Sequence, residues 1–113
     1  MNNRKRFKNW EFPEIINGQP TIYGWTVINS KKFTLGRFTD IAFGCFINAK
    51  YGVEIEEDVQ IGPFCAILSD NSINNTHGKI KIGKGSRIGA YTLILPNVEI
   101  LPNSFIKARS IIK

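Results

Sequence analysis

Isoleucine stands at every sixth position through the last third of the chain, at Ile82, Ile88, Ile94, Ile100, Ile106 and Ile112. Glycine follows it at Ile82 and Ile88. Four places beyond each of the first five comes a smaller residue: Ser86, Thr92, Val98, Ser104 and Ser110. A helix buries positions three, four and seven apart, and a half-buried strand alternates at every second residue. A sustained period of six satisfies neither. It fits a chain that turns a corner every six residues and lays each circuit on the last, as a β-helix does.

A longer repeat runs inside the short one. Leu35, Ile41 and Ile47 form one triplet and Ile55, Ile61 and Ile67 the next, with matching members 20 residues apart. Val27 precedes Ile47 by the same interval. Each coil is therefore three six-residue sides, with two extra residues at one corner, within 28–34 and 48–54. The third circuit, Ile82, Ile88 and Ile94, follows a longer insertion at 68–81, and the fourth, Ile100, Ile106 and Ile112, has no extra residues. The pattern predicts an all-β chain of four triangular coils, each side a short strand about 4.8 Å from its neighbours above and below. Cys45 and Cys65, also 20 apart, fall at matching inward places, with Thr39, Val59 and Thr92 as relatives. Stacked rungs would hold their Cα atoms within disulfide range. In a cytosolic chain, two small buried thiols read as reduced packing residues.

Residues 1–20 lack the period. Pro13, Gly18 and Pro20 interrupt them, while Trp10 and Phe12 offer docking groups. They read as an arm that caps the open end of a β-helix domain spanning 21–113, because an exposed sheet end is usually covered. Ile15, Thr21 and Val27 are spaced to form an imperfect first coil. The whole chain, 113 residues, is one domain. Charge changes the picture in one place. The net charge is +6, from 15 basic and 9 acidic residues, and Arg4, Lys5, Arg6 and Lys8 supply four of those positive charges. The high pI thus describes the arm, read as a solvated or partner-packed terminus, with phosphate or membrane contact as the alternative. No run approaches the ~20 apolar residues of a membrane helix. Asn9-Trp10-Glu11-Phe12-Pro13-Glu14 is not the apolar core of a signal peptide. The expected location is the cytoplasm.

Three phrases carry a family resemblance: Ile61-Gly62-Pro63-Phe64-Cys65-Ala66, Ile82-Gly83-Lys84-Gly85-Ser86-Arg87 and Ile88-Gly89-Ala90-Tyr91-Thr92-Leu93. The chain from about residue 21 to 113 resembles the hexapeptide-repeat acyltransferases, in particular the branch that acetylates sugars, sugar nucleotides and xenobiotics. Ile94-Leu95-Pro96-Asn97-Val98-Glu99-Ile100 is similar to that branch's closing phrase. The resemblance implies a left-handed parallel β-helix, a homotrimer and acetyl-CoA as co-substrate. The handedness is implied by the resemblance alone, since the general rule for crossovers points the other way.

The resemblance also implies a site. Acetyl transfer from a thioester needs a nucleophilic hydroxyl or amine, a base for its proton and donors for the developing oxyanion. In that family the pantetheine arm lies between neighbouring helices, and a histidine from the loop after the middle coil faces it. The matching insertion here is 68–81. Where relatives place histidine just after the aliphatic equivalent to Ile67, this chain has Ser69-Asp70-Asn71-Ser72, and its only histidine, His77, comes later. Imidazole titrates near neutral pH, as a base should. A flexible Asn-rich loop could carry His77 to the groove; alternatively Asp70 takes the proton, or an amine arrives already deprotonated. Asn71 and Asn74 on the same loop are the candidate acceptor contacts. Gly89 and Ala90 match the small residues beside the cofactor, although Gly89 could simply relieve a corner. Ala108 and Arg109 match the adenine end, where a guanidinium suits phosphate. Phe43, Phe46, Phe64 and Tyr91 lie off the aliphatic rungs and are expected to cover a subunit interface or a groove.

The resulting expectation is a cytoplasmic, trimeric, acetyl-CoA-dependent O- or N-acetyltransferase acting on a carbohydrate or nucleotide sugar for envelope polysaccharide assembly. The alternative is a non-catalytic β-helix that binds a sugar or serves as a scaffold. The displaced histidine and the shortness of the chain beside that family favour it. A zinc carbonic anhydrase of the same fold needs three histidines at an interface, which one per chain does not suit, and no metal is expected. Nucleic-acid binding would rest on the arm alone and is not expected.

Overall fold

The computed structural model describes residues 9–113, so Arg4, Lys5, Arg6 and Lys8 lie outside the described residues. Among the described residues there is no α-helix. Fifteen strands of two or three residues and one 3₁₀ turn, Ser30–Lys32, make up the regular structure. A first rung, β1 (Thr26–Ile28), precedes coil one, β2 (Phe33–Leu35), β3 (Asp40–Ile41) and β4 (Phe46–Asn48). Coil two is β5 (Val53–Ile55), β6 (Gln60–Ile61) and β7 (Ala66–Leu68). After a hairpin of β8 (Asp70–Asn71) and β9 (Thr76–His77) comes coil three, β10 (Ile80–Ile82), β11 (Arg87–Ile88) and β12 (Leu93–Ile94). Coil four is β13 (Glu99–Ile100), β14 (Phe105–Ile106) and β15 (Ile111–Ile112).

Matching sides stack into three parallel sheets, the faces of a triangular prism. The first face is β1, β4, β7, β12 and β15; the second is β2, β5, β10 and β13; the third is β3, β6, β11 and β14. The register is the one the six-residue period predicts. Val27 lies under Ile47, Ile67, Ile94 and Ile112 on the first face. Leu35, Ile55, Ile82 and Ile100 align on the second, and Ile41, Ile61, Ile88 and Ile106 on the third. Because stacked residues all point the same way, each column is a continuous apolar stripe, and the stripes meet in one narrow core. The chain is thus an all-β parallel solenoid of about four turns, consistent with a hexapeptide-repeat β-helix.

The smaller inward residues do a second job. Corner carbonyls lie between strands and lack ladder partners, so buried side chains supply donors. Cys45 Sγ donates to Gly62 O at 3.1 Å and Cys65 Sγ to Gly89 O at 3.2 Å, each reaching the corner of the coil above. Ser86 Oγ does the same for Leu101 O at 3.0 Å. Among the described residues no buried side-chain nitrogen or oxygen lacks a partner. The cysteines are unbridged. The neighbouring Cys65 thiol, followed by burial, holds Cys45 far above the ordinary thiol range, so it persists as a neutral packing group.

Below Cys45 the column ends in the buried indole of Trp25, whose ring lies 6.1 Å from Phe33 and fills the first end of the core. Residues from Trp10 onward lie against this end: Trp10 Nε1 donates to Thr39 O at 2.9 Å, and its ring meets Phe12 and Phe38. Ile15 packs on the core, and Pro20 bridges to Thr26. Among the described residues no helix is long and apolar enough to cross a membrane.

Ile88 sits between Ile61 and Ile106 and is 3% exposed. Ile88→Asp would bury an unpaired carboxylate in the middle of the stripe and should cost at least about 4 kcal/mol. Lys81→Gln, on an outward position nearby, should cost less than about 1 kcal/mol. Thermal melts followed by circular dichroism separate the two; equal melting of parent and Ile88→Asp would contradict the register.

Candidate functional site

The three edges of the prism are not alike. Every departure from six-residue spacing falls on the edge between the first and second faces: the Ser30–Lys32 turn, the bend at Ala49–Gly52 and the 68–81 insertion. Lengthening one edge leaves the other two columns in register, so this is where the fold can carry extra residues without losing its core.

The insertion is a paired hairpin and not the flexible loop expected from its asparagines. Asp70 pairs with His77 and Asn71 with Thr76, antiparallel. The backbone N–H of Asn74 closes the tip by donating to Asn71 O at 3.2 Å. Its base is bolted to the solenoid by Ser69, which is fully buried. Ser69 Oγ donates to Asn48 O at 2.7 Å and accepts from Tyr51 N at 3.0 Å, while Gly78 N donates to Ser69 O at 2.9 Å. Asn97, from the coil above, donates through Nδ2 to His77 O at 3.0 Å.

His77 is exposed, and its imidazole stacks on Tyr51 with ring centroids 4.4 Å apart and planes 21° from parallel. Asp70, largely covered, meets Lys50 Nζ at 3.9 Å. Lys50 Nζ also lies 5.6 Å from the Tyr51 ring centre. His77 and Asp70 are thus neighbours across the hairpin, with Asn71 beside them and Asn74 solvent-facing at the tip. Sequence reasoning missed Tyr51 and Lys50. Their signal was the two-residue corner extension within 48–54, which places them directly below the insertion.

Gly89, Ala90, Ala108 and Arg109 lie on a different edge, between the third and first faces. The structure does not bring them to His77 within one chain; the first face separates the two groups. At this edge Gly24, Gly44, Phe64, Tyr91 and Arg109 occupy one column, all with positive φ. For Phe64, Tyr91 and Arg109 (φ 60°, 60° and 64°) that conformation costs on the order of 1–2 kcal/mol each. Their side chains project outward. Phe43 meets Phe64 edge-on at 5.8 Å, and Phe64 stacks on Tyr91 at 5.3 Å, giving an exposed aromatic row. Arg109 continues the column and, with Tyr91, Leu93, Ser110 and Ile111, lines a cleft of about 560 Å³. Phe46 is exposed on the first face. Among the described residues no three His, Cys, Asp or Glu side chains form a group that could hold a metal ion.

Gly89 is explained by stacking. A Cβ there would lie 2.3 Å from Ala108 N and 2.6 Å from Ala108 Cα, backbone that belongs to the coil above. Gly89→Ala should therefore lower the melting temperature by prising coil four upward, a loss of about 1–3 kcal/mol. Ala90→Gly should cost about 1 kcal/mol or less. A Gly89→Ala protein that melts like the parent would leave ligand contact as the reason for the glycine.

Comparison with protein-family models, with curated proteins and with solved structures gives no match for the chain.

Proposed function

We propose that the chain is an acetyl-CoA-dependent acetyltransferase that modifies a hydroxyl or amino group of a carbohydrate or nucleotide sugar, working as a cytoplasmic homotrimer in envelope polysaccharide assembly. The observation that carries this reading is the hairpin, which holds an exposed imidazole and a carboxylate opposite each other on the solenoid's elongated edge. A rigid prism with one projecting base suits a reaction in which positioning and proton transfer supply most of the rate.

In this reading His77 accepts the proton of the attacking hydroxyl as the new bond to the acetyl carbon forms. It returns that proton to the sulfur as the thioester bond breaks. Stacking on Tyr51 fixes the ring plane, and Asp70 stands by to balance the imidazolium or to act as the base itself. On the other edge Arg109 would pair with phosphate oxygens of the co-substrate, with the cleft between Tyr91 and Arg109 taking its extended arm past Ala90 and Ala108. Since the two edges are apart in one chain, a complete site needs His77 of one subunit and Arg109 of the next. The exposed row of Phe43, Phe64 and Tyr91 supports association, since solvent-facing aromatics in a column mark a surface that is covered in use.

One observation favours the second reading, a sugar-binding or scaffold β-helix. Among the described residues the His77 imidazole makes a ring contact but has no hydrogen-bond partner to orient its tautomer. The two readings diverge in steady-state kinetics with acetyl-CoA and a panel of sugars and nucleotide sugars. His77→Ala should lower kcat by a factor of roughly 10² to 10⁴ and leave the KM for acetyl-CoA in place. Arg109→Ala should raise that KM and keep kcat at saturation. Thiol release by the parent that neither His77→Ala nor Asp70→Asn reduces would remove the hairpin from the chemistry, and no release at all would favour the scaffold.

A further inference from the structure

Between coils two and three, four basic side chains are matched by carboxylates. Lys79 meets Glu54 at 3.0 Å, Lys81 meets Glu56 at 3.8 Å, Lys84 meets Glu57 at 2.9 Å and Arg87 meets Asp58 at 3.5 Å. On the edge between the first and second faces this compensation fails for three lysines that share one concavity. Asn17, Asn29, Ser30, Lys31, Lys32 and Lys50 line a cleft of about 540 Å³ on the elongated edge. Lys31 and Lys32 have no carboxylate partner among the described residues, and Lys50 has only the long 3.9 Å approach to Asp70. Three ammonium groups around one concavity repel one another, so the arrangement is most favourable with an anion between them.

The cleft is also braced. Asn29 adopts a left-handed conformation, φ 56°, that starts the Ser30–Lys32 turn, and Asn17 Oδ1 accepts the Ser30 N–H at 2.9 Å. Asn29 Nδ2 donates to Asn48 Oδ1 at 3.0 Å, and the same oxygen accepts from Lys50 N at 3.2 Å. A chain of asparagine amides thus sets the backbone that carries all three lysines. The remaining amide atoms of Asn17 and Asn29 can meet hydroxyl groups. Next to Lys50 in the chain is Tyr51, which carries the stacked imidazole of His77. A volume of this size is that of a small-molecule site.

We infer that this cleft binds the phosphate of a phosphorylated sugar, free or nucleotide-linked, and so holds the sugar ring beside Tyr51 and His77. This rests on the acetyltransferase reading only for what happens to the sugar; the binding itself does not need it. Lysines suit this role as mobile point charges, with strength that falls as salt screens them.

The test is calorimetric titration of the intact protein, without acetyl-CoA, with glucose 1-phosphate, glucosamine 6-phosphate, UDP-glucose, inorganic phosphate and glucose. At least one sugar phosphate should bind more tightly than inorganic phosphate or glucose. Its affinity should fall by about tenfold or more in the Lys31→Gln, Lys32→Gln, Lys50→Gln triple variant, and should weaken as salt rises. Backbone amide shifts should report the ligand at Ser30–Lys32 and at Tyr51. The variant changes only exposed side chains, and an unchanged melt confirms its fold. Sugar phosphates that do not bind, that bind no better than inorganic phosphate, or that bind the triple variant equally well overturn the inference. Acetyl transfer, assayed separately on the same proteins, reports on the enzyme reading: binding without turnover sinks the enzyme and keeps the cleft. Turnover that the triple variant retains in full sinks the cleft and keeps the enzyme.

Discussion

Everything in this molecule depends on in-register hydrogen bonding between identical sides of successive coils. A parallel ladder fixes the rise at about 4.8 Å, so whatever stands at one position must tolerate its own counterpart directly above. Branched aliphatics do so, which is why Ile47, Ile67 and Ile94 share a column and are completely buried. Charged residues do not, and they stack only with alternating sign, as Glu54 does beneath Lys81 and Lys81 beneath Glu99. The corners satisfy a harsher condition. They close within one or two residues, force left-handed backbone, and bring backbone within 2.3 Å of where the Cβ of Gly36 or Gly89 would be.

That constraint decides where chemistry can sit. The faces are committed to the ladder and the interior to packing, so groups free to meet a ligand project from the edges. Two edges are used differently. The edge between the third and first faces keeps strict spacing and presents stacked side chains, Phe43, Phe64, Tyr91 and Arg109, in a line that rises with the coils. The edge between the first and second faces gives up strict spacing and gains a turn, a cationic cleft and a hairpin. Both are rigid for the same reason, since each corner is tied to the coil below. What one chain cannot do is close the distance between them.

The fold was legible because its signal is repeated. Twelve aliphatics from Leu35 to Ile112, six residues apart within each coil, and the 20-residue interval that puts Cys45 under Cys65, determine the register even though no single strand exceeds three residues. The hairpin was legible as an interruption but not as a hairpin. Its two-residue strands and its run of Asn, Ser and Thr carry no alternation, and its order comes from Ser69 at its base, tied to Asn48, and from Asn97 in the coil above. The Tyr51–His77 stack spans 26 positions between irregular corners, where no period predicts a neighbour. Lys31, Lys32 and Lys50 were visible only as extra residues, since nothing local says that two corner extensions share one concavity. Gly89 was legible as two possibilities, and the backbone of Ala108 above it accounts for one of them.

In the reaction we propose, a working site takes one edge from each of two chains, and subunit complementation reads this out. His77→Ala removes the base from one edge, and Ala90→Trp, in a separate variant, obstructs the cofactor edge, so each variant alone should be inactive. When the two are unfolded together, mixed in equal amounts and refolded, random assembly should leave about a quarter of the sites with both edges intact. Acetyl transfer should return to about that fraction of the parent rate. A mixture no more active than either variant, formed from subunits shown to have exchanged, would contradict it.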